Sequence, residues 1–279
     1  MEVLAVERDQ TLAYLTVDRF AVDLEQYTDL LAGLARTPDV YQNDLAAQRD
    51  ALKRASTRLA AFDAGVLLLD TFGKVVATEP ERPEILGQDW SDRLYYREVV
   101  RSRMAGSPPD LITSDIVSDG PDGAEVIAGA MPVIGEQGDF QGTLVGMLRL
   151  GTLTVDPGYG VNLLLTGEDS NTYLVDSQGR VIYHSEPGHV GDDLSTQAPV
   201  QELLEGNTGA MRTRSLEGQS IVAGFAPVPG TPWGLITEET WASLTSDSRR
   251  YQPFLILLLA LGVVVPAIVV GAGATRLVS

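Results

Sequence analysis

The chain has 279 residues, a net charge of −18 and 44% hydrophobic residues, enough to fill one large core or two small ones. An acid excess of this size argues against a nucleic-acid partner, because phosphate binding needs a basic patch. No cysteine is present, which removes disulfides and thiolate metal sites. The two histidines, His184 and His189, are five apart and do not share a helical face. They read as loop residues, and neither a metal nor a cofactor is expected.

The N-terminus, Met1-Glu2-Val3-Leu4, runs straight into polar sequence without a signal peptide, so a hydrophobic segment before Met1 is expected. Residues 4 to about 36 form one long amphipathic pattern. Ala13, Val17, Phe20, Leu24, Tyr27, Leu31 and Leu34 recur at alternating steps of four and three. Pro38 ends it. The stripe can pack on its own domain or on a second copy of the chain, and its own domain is the expected partner. Leu45, Leu52, Ala55, Leu59 and Phe62 mark a second helix face.

After Phe62 short β-rich runs alternate with turn signals: GVLLLD, KVVAT, LITSDIV, EVIAGAMPV and GTLVGMLRL, then RVIYHS, IVAGFAPV and WGLITEE. These runs contain an internal repeat. Leu69-Asp70-Thr71-Phe72-Gly73-Lys74-Val75-Val76 is echoed by Val175-Asp176-Ser177-Gln178-Gly179-Arg180-Val181-Ile182. Gly87-Gln88-Asp89-Trp90-Ser91 is echoed by Gly191-Asp192-Asp193-Leu194-Ser195, and Ala128-Gly129-Ala130-Met131-Pro132-Val133 by Ala223-Gly224-Phe225-Ala226-Pro227-Val228. The three matches keep their order. They predict an α+β chain with two copies of one mainly antiparallel unit. The expected divisions are a stalk helix over 1–42, a first unit over 43–157, a second over 158–240 and a juxtamembrane helix over 241–253.

Phe254–Ala274 follows, 21 residues without a charged side chain. As a helix it measures about 32 Å, matching a hydrocarbon core of about 30 Å. It is expected to cross the membrane, leaving 275–279 on the far side.

This arrangement resembles the double Cache family of extracytoplasmic sensor domains over nearly the whole chain. The most specific stretch is Asp89-Trp90-Ser91-Asp92-Arg93-Leu94-Tyr95-Tyr96, similar to the family's S-D-R-x-Y-F segment at the edge of the membrane-distal pocket. Ser114-Asp115, Ala130-Met131-Pro132-Val133 and Gly142-Thr143-Leu144-Val145-Gly146 also fit, and Thr275-Arg276-Leu277-Val278 resembles the start of a HAMP segment. The resemblance implies a long N-terminal helix, two tandem PAS-like sheets and a membrane helix. It also implies a bacterial receptor that binds a small molecule outside the cell and drives a kinase, a cyclase or a chemotaxis module; a homodimer joined through the N-terminal helix is the expected assembly.

The resemblance makes Arg93 the first candidate for holding a ligand, its forked guanidinium suiting a carboxylate. Tyr95 and Tyr96 follow it. On a strand only one of them could line a pocket, and on a helix both could. Ser114 and Asp115 interrupt the apolar run Leu111–Val117, and Asp115 needs a partner if it is buried. Arg149 stands among apolar residues where amino-acid-binding members of the family carry an aspartate near the strand end. Those members also have Trp where this chain has Tyr95, and tyrosine where it has Gln88. These departures favour an organic acid over an amino acid as ligand. The second unit has no Arg-x-Tyr-Tyr stretch and reads as a structural spacer and transmitter. No hydrolase triad, HExxH or phosphate-cradling glycine loop is present. The rival to a sensor is a membrane-anchored structural or adhesion protein.

Overall fold

The computed structural model describes residues 2–107, 110–152 and 170–243. The predicted membrane span and tail, and most of the juxtamembrane helix, lie outside the described residues. Among the described residues no helix is long and apolar enough to cross a membrane.

Helix α1 covers Glu2–Ala35, about 51 Å at the usual rise. It is the spine of the molecule. Val17, Phe20, Leu24, Leu31 and Leu34 from its stripe are buried in one core with residues of both sheets. The ring of Phe20 lies 6.4 Å from that of Trp233. The stripe is thus satisfied within the chain. Pro38 opens α2 (Pro38–Tyr41). Asp44 caps α3 (Leu45–Leu59), its carboxylate accepting from the N–H groups of Ala46 and Ala47. Leu45 departs from the expected face and is exposed, because the cap places it in the first turn, outside the contact that buries Leu52 and Leu59.

The first sheet has strands β1 (Gly65–Leu69), β2 (Val75–Glu79), β3 (Ile112–Thr113), β4 (Val126–Ile134) and β5 (Phe140–Arg149), in the antiparallel order β2-β1-β5-β4-β3. Both faces are covered. Leu68, Leu144 and Leu148 turn toward the core built on α1 and α3. Leu67, Leu69, Val145 and Met147 turn toward α4 (Leu94–Met104). The strand expected from LITSDIV forms only a two-residue ladder. Ser114 still bonds to Ala128 of β4, but the ladder is interrupted at Asp115 and Ile116, which turn to Ser177 and Asp176 of the second sheet, and it resumes only as the single bridge Val117–Val126.

The second sheet repeats the first. Its strands are β6 (Ser170–Val175), β7 (Val181–His184), β8 (Gly209–Arg214), β9 (Ser220–Pro227) and β10 (Gly234–Thr240), ordered β7-β6-β10-β9-β8, with α5 (Ala198–Leu204) in the place of α4. The repeated motifs have a physical cause. Asp70 accepts from the N–H groups of Phe72 and Lys74, and Asp176 does the same for Gln178 and Arg180. Gly73 and Gly179 hold positive φ, and a Cβ on either would stand 2.7 or 2.8 Å from the Cα of Ser91 or Ser195. The glycine carbonyls then accept from Trp90 and Leu194. Each hairpin turn is therefore locked to the loop that follows it, and both glycine and serine recur in the two copies.

Candidate functional site

Tyr95 and Tyr96 lie in the first turn of α4, so both are buried, as a helix allows. Arg93 is the residue just before the helix, with extended backbone. Its guanidinium lies over the Trp90 ring, 5.4 Å from the centroid, and one terminal nitrogen reaches Oδ1 of Asp119 at 2.8 Å. The hydroxyl of Tyr95 donates to Oδ2 of the same carboxylate at 3.0 Å. Asp119 is thus a buried anion, 6% exposed, gripped by a cation and a phenol. Burial beside that carboxylate pushes the Tyr95 hydroxyl far above its usual value, so it stays a donor. Arg82 fixes the Asp119 loop by donating to the backbone carbonyls of Asp119 and Gly120. The Nε of Arg93 is buried without a hydrogen-bond partner among the described residues.

Of the residues named from sequence, Arg93 and Tyr95 share one carboxylate. Tyr96 stands beside them, but its hydroxyl donates to the carbonyl of Thr71. Arg149 ends β5 with its side chain exposed, and its N–H donates to Asp63. It pairs with Val126, which bridges Val117 on the loop carrying Asp119, and no side-chain contact joins it to the Arg93–Asp119 pair among the described residues. Ser114 and Asp115 point another way. The Ser114 hydroxyl is used at home, on the Asp115 carbonyl and the Ala128 N–H, and its carbonyl accepts from Nε1 of Trp233 at 2.8 Å. Asp115 accepts from the N–H and the hydroxyl of Ser177, at 3.0 and 2.6 Å. Both residues therefore join the first sheet to the second.

Asp119 escaped the sequence reading. In Ser118-Asp119-Gly120 it looks like a turn aspartate, and its partners come from 24 and 26 residues earlier. The reading of His184 and His189 as loop residues needs correction. His184 lies in β7 and is 5% exposed, because its ring stacks on Tyr173. His189 ends a short 3-10 turn, its ring centroid 4.9 Å from that of His184. Among the described residues no group of three His, Cys, Asp or Glu side chains could hold a metal ion.

Two tandem PAS-like sheets on one long helix, with the charged Arg93–Asp119 pair beside the first, define a tandem sensor module. The chain belongs to the Cache domain family, whose double-domain model matches residues 4–248. Cache domains are extracytoplasmic sensor domains of membrane receptors. No curated protein sequence matches the chain. Several solved structures share the fold. The ligand-binding domain of the Pseudomonas fluorescens chemoreceptor CtaA, in complex with L-alanine, has a TM-score of 0.60 at 19% identity, covering 84% of this chain and 96% of that one. The ligand-binding domain of the Pseudomonas aeruginosa PAO1 amino acid chemoreceptor PctC, in complex with GABA, has a TM-score of 0.55 at 20% identity, covering 83% and 96%. The sensor domain of the V. cholerae histidine kinase DctB has a TM-score of 0.56 at 13% identity, covering 83% and 95%.

Proposed function

We propose that the chain is the extracytoplasmic sensing region of a bacterial transmembrane receptor, and that its first sheet reads a small molecule carrying both a carboxylate and an ammonium group. The observation that carries this reading is the pairing of Arg93 with Asp119. Arg93 has a buried, unpartnered Nε to offer a carboxylate. Asp119 has a buried carboxylate to receive an ammonium. The sequence alone favours an organic acid, because Arg149 stands where an aspartate is expected. Asp119 supplies the missing anion and shifts the preference to amino acids. The structurally similar CtaA and PctC domains are complexed with L-alanine and with GABA, in keeping with this preference.

Calorimetry with L-amino acids and dicarboxylates tests the reading. An amino acid is expected to bind tightest, and Arg93→Ala to weaken it about ten- to hundredfold, the worth of a charge-assisted contact. A dicarboxylate that binds tightest, with no dependence on Arg93, would overturn it.

The receptor reading places the described sheets outside the cell and assigns Phe254–Ala274 to the membrane. It also pairs two chains along α1, whose outer face exposes Tyr14, Leu15 and Val22. A disulfide between two copies of Val22→Cys, in a chain with no native cysteine, would support the pairing. Its absence at saturating protein would count against it.

A further inference from the structure

The second sheet carries polar groups where the first carries apolar ones. In the repeat Leu69 corresponds to Val175, and the strand registers carry the correspondence further. Gly65 and Met147 are paired in the first sheet, as Asn171 and Glu238 are in the second, while Leu67 takes the place of Tyr173. On this face of the second sheet lies a cavity of about 200 Å³ whose lining includes Asn171, Glu186, Glu217 and Glu238. A narrow cleft lined by Tyr173, His184 and His189 adjoins it, sharing Asn171, Glu217 and Glu238. At about 200 Å³ the cavity is below the range that takes a drug-sized ligand and suits a small molecule.

The lining has a defined hydrogen-bonding character. Tyr173 donates to Oε1 of Glu238 at 2.7 Å, which leaves the other Glu238 oxygen for a further donor. His184 accepts the Glu186 N–H at Nδ1, 2.9 Å, so a neutral ring carries its proton at Nε2. That Nε2 makes no hydrogen bond among the described residues, although the side chain is 95% buried and lines the cleft. Nε2 of His189 stands 3.9 Å from Glu217 and 3.8 Å from Glu186. None of the residues lining either space is lysine or arginine. Burial pushes the Glu238 carboxyl up and the His184 ring down, as expected for an anion without a cation and an imidazole kept neutral.

We propose that this cavity, together with the adjoining cleft of about 10 Å³, which has room for one hydroxyl-sized group, is a second binding site, in the domain that the sequence reads as a spacer. Its ligand is a small organic ammonium ion that also carries an oxygen acceptor, an amino alcohol in chemical class. The ammonium meets Glu238 and Glu217, and the oxygen meets the Nε2–H of His184. Such a ligand lacks the carboxylate that Arg93 requires, so the two sheets read different molecules.

Both histidines of the chain stand in this site, so imidazole NMR signals report on it alone. The probe is 2-aminoethanol, titrated into the full chain. Both signals are expected to shift saturably, in the wild type and equally in Arg93→Ala. In Glu238→Gln the apparent affinity is expected to fall about tenfold or more, and Glu217→Gln, at a more exposed position, gives the same direction if the buried variant misfolds. Four results would overturn the proposal: signals unmoved at millimolar 2-aminoethanol; shifts reproduced by ethanol; shifts produced by calcium chloride and not by the amine; or a response lost in Arg93→Ala and kept in both glutamate variants.

Discussion

Asp115 and Asp119 lie four residues apart on one segment, yet their carboxylates serve different domains. Asp119 holds Arg93 and Tyr95 beside the first sheet, while Asp115 holds Ser177 in the turn of the second. Trp233 grips the same segment at the carbonyl of Ser114, and the Ile116 N–H reaches Asp176 at 3.4 Å. A ligand bound at Asp119, as proposed, would therefore pull on a segment already fastened to the second domain. On the proposed reading, this segment is a short route by which occupancy would bias the second sheet, to the extent that the ligand prefers one arrangement. Asp115→Ala and Ser177→Ala should show a coupling of about 0.5–1.5 kcal/mol in a double-mutant cycle read by denaturation. Additive effects would mean that the pair is not a fastening.

The paired glycines give a second prediction. Gly73→Ala and Gly179→Ala each force a side chain into a positive-φ position and against the backbone of a serine. Each should destabilise its domain by at least about 2 kcal/mol, from the left-handed backbone cost plus the clash. Thermal melts should show losses of similar size for the two. A loss at one and none at the other would break the equivalence of the copies.

Asp9 is expected to make the stability of the α1 packing depend on pH. It is 3% exposed, one of its oxygens has no partner among the described residues, and a Cβ on Gly224 of β9 would collide with its carbonyl oxygen. Burial outweighs the nearby Arg8 and raises the carboxyl from 3.8 to about 6. The folded chain then holds a proton that the unfolded chain releases between about pH 4 and 6. Stability is favoured below that window, falls as pH rises through it, and is level above. Asp9→Asn should flatten this part of the stability profile relative to the wild type and raise stability at pH 7. Unchanged slopes in chemical denaturation series would refute the assignment.

The long helix, the two sheets and the turns that lock them were legible from spacing and repetition. Heptad steps report a buried helix face, and Asp-x-x-Gly reports a turn that needs both residues. The site was legible only in part. Arg93 and the tyrosines stand in a compact motif, but Asp119 joins them only through folding, since nothing near it in sequence shows its burial. Arg149 was ambiguous for another reason. β5 is covered on both faces, so seven consecutive residues are buried and no alternation tells which way the last side chain turns. His184 was hidden in the same way, because its partner Tyr173 lies on the neighbouring strand.

The central claim is that Arg93 and Asp119 together read a molecule of both charges. It is tested most directly by the ratio of affinities for an L-amino acid and its deaminated counterpart, L-alanine against propanoate, measured by calorimetry in the wild type and in Asp119→Asn. The account predicts a clear preference for the amino acid in the wild type. It also predicts that the ratio falls about tenfold or more in Asp119→Asn, as one charge-assisted contact is lost. Equal binding of the two compounds by the wild type, or a ratio that Asp119→Asn leaves unchanged, would contradict it.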